Sequence, residues 1–146
     1  VSVEMALRAD QGQVFAVEKK DDAVALLYEN KQRFAADNLE IIKGEAPEAL
    51  KELPVPTHAF IGGSSGNLKE IVALLLEKNR DVRIVINCIT LETISEALEV
   101  LKEYDFADQE AVQLTASRSK EIGKYHLMMG ENPIYIITCQ SPRAQI

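Results

Sequence analysis

The stretch Thr57-His58-Ala59-Phe60-Ile61-Gly62-Gly63-Ser64-Ser65-Gly66-Asn67-Leu68 decides how this chain is read. His58–Ile61 is an apolar run of strand length. Glycines 62, 63 and 66 follow, so the backbone turns freely and a flat ligand can approach the main chain. Asn67 then stands where a helix N-cap belongs, ahead of Leu68, Ile71, Val72 and Leu75 on one helical face. Strand, glycine turn and helix in that order are part of a parallel crossover unit.

The same alternation extends outward in both directions. Upstream, residues 1–9 read as a helix with Val3, Ala6 and Leu7 inward, and residues 14–17 as a buried strand. Residues 21–34 place Val24, Leu27 and Phe34 on one helical face, with Asp21 or Asp22 to cap it, and Leu39–Lys43 is a second strand. Downstream, Arg83–Cys88 is a strand, and Leu91–Tyr104 a helix facing inward through Leu91, Ile94, Leu98 and Leu101. Residues 110–116 and 134–139 are the final strands. The connection 117–133 has no apolar helical repeat, so it reads as a loop and the last pair as antiparallel. These elements predict an α/β fold: a doubly wound, mostly parallel sheet with a reversed last strand.

No repeat, low-complexity tract or linker interrupts residues 1–146, which predicts a single domain. A doubly wound sheet that opens on a helix lacks its first strand, so the domain is expected to be N-terminally incomplete.

Composition excludes several classes. The 146 residues are 47% apolar and 27% charged, an ordinary globular mix. With 16 basic against 23 acidic side chains the net charge is −7, which disfavours nucleic acid as a partner. No apolar run approaches the ~20 residues that span a bilayer, and no signal peptide opens the chain. Cys88 and Cys139 lie in apolar strand-like runs and read as reduced core thiols of a cytoplasmic protein. One segment reverses the overall sign: between Ser117 and His126, Arg118, Lys120, Lys124 and His126 face a single acid, Glu121. It reads either as a solvated loop or as a patch for an anionic ligand.

In open α/β sheets ligands bind beyond the carboxyl ends of the strands, and four ends carry polar chemistry. Glu18 can accept two hydrogen bonds from a ribose diol, or it is a surface acid beside Lys19 and Lys20. Gly44-Glu45-Ala46-Pro47 can pass close to a ligand, with Glu45 accepting from an adenine amine, or can simply start a short helix at Pro47. The turn at 62–66 matches neither the phosphate loop, which needs a Lys after the last Gly, nor the spacing Gly-x-Gly-x-x-Gly. Asn87, a polar residue near the end of an apolar strand, either faces the cleft or has a buried partner. Thr90 caps the helix that follows, with Thr93 or Glu92 nearby. His58 stands at the start of its strand, the wrong end for a site, and reads as structural. His58 and His126 belong to no metal-ligand spacing, and no Gly-x-Ser-x-Gly occurs.

Taken together, the run 57–68, Arg83-Ile84-Val85-Ile86-Asn87 with Thr90-Leu91-Glu92-Thr93, Ser117-Arg118 with Gly123-Lys124-Tyr125-His126, and Asn132-Pro133-Ile134-Tyr135-Ile136-Ile137-Thr138 resemble the decarboxylating precorrin-6Y methyltransferases of cobalamin biosynthesis. The resemblance covers essentially the whole chain. It departs at the start, because that family's first strand and glycine-rich loop would precede Val1.

The resemblance implies a class I methyltransferase fold and S-adenosylmethionine as cofactor, with contacts at Glu18, Lys19, Gly44, Glu45, Ala46 and Gly62. It implies methylation of a bridging ring carbon of a precorrin and decarboxylation of an acetate side chain. Such a ring carbon is already nucleophilic, so alignment matters more than a strong base. For the tetrapyrrole substrate it implies Gly63, Ser64, Asn87, Arg118, Lys124 and His126, with Asn87, Tyr125 and His126 as positioning candidates, and no metal. Arg118 ranks first among the cations because its planar fork suits carboxylates. A homo-oligomer, with a tetramer as the candidate state, is implied as well. Two other classes remain compatible with the residues: a methyltransferase for another small anion, and a non-catalytic domain of the same fold.

Overall fold

A computed structural model describes residues 1–143. The chain forms two compact units, one of residues 1–54 and one from Val55 onward.

The first unit runs α1 (Ser2–Arg8), β1 (Val14–Glu18), α2 (Asp21–Arg33), β2 (Leu39–Lys43) and a 3-10 turn at Glu48–Leu50. β1 and β2 pair in parallel from Val14↔Leu39 to Glu18↔Lys43, so Glu18 and Lys43 end the ladder side by side. Ala6, Val14, Ala16, Ala36 and Leu39 form the core, with Val3, Met5 and Leu27 packed against it. Asn38 secures this arrangement: its Nδ2 donates to the carbonyls of Ala6 (2.9 Å), Ala9 (3.0 Å) and Gly12 (3.0 Å). It thereby ties the end of α1 and the turn that follows it to the start of β2.

Two helical faces differ from expectation. Leu7 is exposed, and Ala6 takes the buried position in α1. α2 buries no residue, and Phe34 lies past its end, half in solvent. Neither Asp21 nor Asp22 caps the helix, because Lys20 occupies the N-cap position; Asp21 instead pairs with Lys43 at the end of β2.

The second unit runs β3 (His58–Ile61), α3 (Leu68–Lys78), β4 (Arg83–Cys88), α4 (Leu91–Tyr104), β5 (Phe106–Leu114), β6 (Ser117–Ile122), β7 (Tyr125–Gly130) and β8 (Ile134–Pro142). Its main sheet has the order β3-β4-β8-β5. β3 and β4 are parallel, while β8 is antiparallel to both β4 and β5. The reversed last strand is therefore present, inserted inside the edge strand β5. β4 alternates cleanly: Ile84, Ile86 and Cys88 are buried, and Arg83, Val85 and Asn87 are half-buried. α3 buries Leu68, Ile71, Val72, Leu75 and Leu76.

α4 is partly rotated from its expected face, with Ile94 and Leu101 half-buried. Ala97, Val100 and Tyr104 are buried, whereas Leu91 and Leu98 are 80% and 54% exposed. Asp105, in a left-handed conformation (φ 45°), ends the helix and sends the chain straight into β5 at Phe106, earlier than the expected 110. The Phe106 and Tyr104 rings then meet at 5.9 Å between centroids. The connection 117–133 is not a loop: β6 and β7 form an antiparallel ribbon, with Gly123 at φ 61° in its turn. Every residue of both strands is exposed, so no one-sided burial writes an alternation into their sequence.

Candidate functional site

In the first unit, the carboxyl ends of β1 and β2 bring Glu18, Lys19, Gly44, Glu45 and Ala46 together. The Gly44 N–H donates to the Glu18 carbonyl at 3.0 Å, continuing the ladder one step past the strands. Glu18 is half-buried, and its Oε1 accepts from the Lys20 N–H at 2.9 Å. A backbone tether two residues away fixes a carboxylate with little side-chain entropy left to lose on binding. Lys19 Nζ reaches across to Glu45 Oε1 at 3.0 Å, joining the two strand ends through side chains. The Ala46–Pro47 peptide is cis, and Ala49 N–H donates to the Glu45 carbonyl at 2.9 Å, closing the turn into Glu48–Leu50. Gly44 is demanded by this turn, since a Cβ there would lie 2.8 Å from Ala49 Cβ. Its role is close backbone packing, whatever else approaches it.

In the second unit, the carboxyl ends of β3 and β4 lie level, because Ile61 pairs with Ile86. Gly62 and Gly63 follow Ile61 and are exposed, Ser64 is buried, and Ser65 and Gly66 both take positive φ (52° and 83°). The Asn67 N–H donates to the Ser64 carbonyl at 2.9 Å, which completes the turn into α3. A Cβ on Gly63 would meet nothing within 4 Å, so this position faces open space. At the end of β4, Asn87 Oδ1 is buried without a hydrogen-bond partner among the described residues. An unsatisfied buried acceptor costs ~1–3 kcal/mol, and a ligand N–H would relieve that cost. Thr90 Oγ1 accepts from Thr93 N–H at 3.1 Å, so the expected cap is present.

The basic segment is distributed differently from a single patch. Arg118 sits opposite Met129, and His126 opposite Glu121, in the β6–β7 register. Residues an odd number of steps apart along a strand face opposite sides, so Arg118 and Lys120 lie on one face of the ribbon and His126 on the other. Lys124 stands in the turn, its Nζ 5.6 Å from the centre of the Tyr125 ring. Arg118 Nε is 3.6 Å from Glu131 Oε1, and Arg118, Lys124, Tyr125 and His126 are all exposed. The ribbon's apolar side chains, Ile122, Tyr125, Leu127 and Met129, share the Arg118 face and are exposed with it.

His58 is exposed at the start of β3, where Nδ1 meets Thr57 Oγ1 at 3.1 Å, away from the strand ends that carry these groups. Among the described residues, no three His, Cys, Asp or Glu side chains converge as a metal site, and no helix is long and apolar enough to cross a membrane. The Lys20 tether on Glu18 and the Lys19–Glu45 pair went unseen in the sequence. Neither has a side-chain signal in the local sequence, since the first is made by a backbone N–H that any residue but proline would supply.

Residues 1–140 match the model of the precorrin methyltransferase domain. A cobalt-precorrin-6B C(15)-methyltransferase (decarboxylating) of Salmonella typhimurium is 34% identical over 141 residues, covering 96% of this chain and 72% of that protein. A precorrin-6y C5,15-methyltransferase structure from Geobacter metallireducens superposes with a TM-score of 0.86 at 32% identity, over 97% of this chain and 73% of that one. A precorrin 8W decarboxylase structure from Methanobacterium thermoautotrophicum gives a TM-score of 0.78 at 32% identity, over 87% and 69% of the two chains. These neighbours share the Rossmann-like α/β fold of methyltransferases, and this chain belongs to the precorrin methyltransferase family.

Proposed function

We propose that this chain methylates a bridging ring carbon of a precorrin, with S-adenosylmethionine as methyl donor, and promotes decarboxylation of a neighbouring acetate side chain. The observation that carries the reading is membership of the precorrin methyltransferase family over residues 1–140. The residues fit the donor. Glu18 is a tethered, half-buried carboxylate at a strand end, suited to a ribose diol. Gly44, Glu45 and Ala46, with Lys19 ion-paired to Glu45, form the adjoining turn where an adenine would rest. When bound, S-adenosylmethionine supplies an electrophilic methyl group on a sulfonium.

For the substrate we assign Gly63, Ser64 and Asn87 at the ends of β3 and β4. Asn87 Oδ1 accepts a hydrogen bond from the bound ring system and so positions it. Arg118, the nearest match to a carboxylate fork, holds a propionate or acetate at the ring's edge. Lys124 and His126 are assigned to further carboxylates, and Tyr125 to positioning. Decarboxylation leaves its electron pair in the conjugated ring, so no protein nucleophile is needed. We further propose a cytoplasmic homo-oligomer, with a tetramer as the candidate state, associating through the exposed apolar face of the ribbon.

The test is incubation of the full chain with S-adenosylmethionine and cobalt-precorrin-6B or its cobalt-free counterpart, followed by mass spectrometry. Gain of one methyl group with loss of carbon dioxide is expected. Methylation of a different small anion alone would favour the broader methyltransferase class. No binding of S-adenosylmethionine would point to a non-catalytic domain.

A further inference from the structure

Ile89 and Leu91 flank the helix cap Thr90 at the end of β4, and they are 60% and 80% exposed. Single exposed aliphatic residues are ordinary on protein surfaces. This pair stands apart for three reasons. It begins two residues past Asn87, whose buried Oδ1 has no partner among the described residues. It lies just beyond the end of β4, whose neighbouring strand β3 leads into Gly62 and Gly63, and a Cβ at Gly63 would meet nothing within 4 Å. It is also held rigidly: Thr90 Oγ1 accepts from Thr93 N–H at 3.1 Å and lies 3.0 Å from the Thr93 hydroxyl. That double tie fixes the first turn of the helix, so Leu91 is presented at little further entropic cost, next to Ile89 at the end of the strand.

A tetrapyrrole is apolar across its ring faces and charged at its carboxylate rim. A cation set alone would grip the rim and leave the ring free to tilt. We infer that Ile89 and Leu91 form an apolar shelf for a face of the macrocycle, which orients the ring carbon that is methylated. This inference rests on the precorrin reading above. The shelf supplies area burial and acts on the ring, while Arg118 acts on the rim.

The experiment uses the full chain and two porphyrin probes followed by fluorescence: uroporphyrin, with acetate and propionate groups, and coproporphyrin, with the same ring but fewer carboxylates. The Ile89→Ser/Leu91→Ser double variant should bind both probes about tenfold more weakly, equivalent to ~1.4 kcal/mol. Its S-adenosylmethionine affinity and thermal midpoint should match the wild type, and Leu91→Met with Ile89 intact should bind within about a factor of two. Wild-type affinity in the double variant would overturn the shelf. So would a loss confined to uroporphyrin, because that would be recognition of carboxylates. If the wild-type chain binds neither probe, the precorrin reading falls and the shelf with it.

Discussion

Arg118 and His126 project from opposite faces of the β6–β7 ribbon, because Arg118 pairs with Met129 and His126 with Glu121. The two side chains must therefore meet different carboxylates of the substrate. Arg118→Ala is expected to raise the apparent substrate constant strongly, and added salt should erode the wild-type advantage. S-adenosylmethionine affinity should stay within about a factor of two. In a double-mutant cycle with His126→Ala the effects on substrate should add without coupling, to within ~0.5 kcal/mol. A clear coupling energy would mean that both side chains act on one carboxylate and that the ribbon changes shape to allow it.

Glu18 offers a cleaner test of the donor site, since its carboxylate is anchored by Lys20 N–H at 2.9 Å. Glu18→Ala should weaken S-adenosylmethionine binding by roughly 1–3 kcal/mol, the scale of lost charged hydrogen bonds. Lys19→Ala removes an exposed pair with Glu45 and should change global stability by less than about 1 kcal/mol. Calorimetry and thermal unfolding on the two variants separate the roles. An unchanged dissociation constant in Glu18→Ala would remove it from the site.

These elements also show what the sequence carries. The inward face of α3 was legible because Leu68, Ile71, Val72 and Leu75 are large and regularly spaced. The reversal of β8 followed from the absence of a crossover helix before it. The face of α4 was partly misread, because Ala97 is too small to weigh against Leu91 and Leu98 in an apolar pattern. The ribbon left no trace, since strands exposed on both faces need no alternation. At the site, strand-end positions were legible through topology alone. The Lys19–Glu45 pair was not, because it joins two strand ends far apart in the chain.

The ribbon's exposed apolar face bears on assembly. Ile122, Tyr125, Leu127 and Met129 form a row on one side. Leu127→Glu with Met129→Glu should shift the protein to smaller species in sedimentation velocity, because the new carboxylates would have to be desolvated on association. The thermal midpoint measured on the smaller species should not rise. Ser119→Glu, on the opposite face, should leave the assembly intact. A wild-type protein that sediments as a monomer at all concentrations would end the oligomer proposal.

The two cysteines give a prediction with a definite sign in pH. Cys88 and Cys139 are fully buried and free, and burial raises both thiol pKa values, that of Cys139 to about 12. The folded state thus holds Cys139 neutral where the unfolded chain ionises it, near the ordinary thiol value of ~8.5. Its contribution is fully present below that value and is lost as pH rises towards the folded value. The stability difference between wild type and Cys139→Ala should therefore be constant from pH ~6 to ~8. It should shrink by about 2 kcal/mol on reaching pH ~10, as read from urea midpoints. Comparing the two proteins at each pH cancels tyrosine and lysine titrations common to both. Below pH ~8 a thiol reagent should modify neither cysteine except at the rate of unfolding. A pH-independent difference, or rapid modification of the folded protein, would show that Cys139 is reached by solvent.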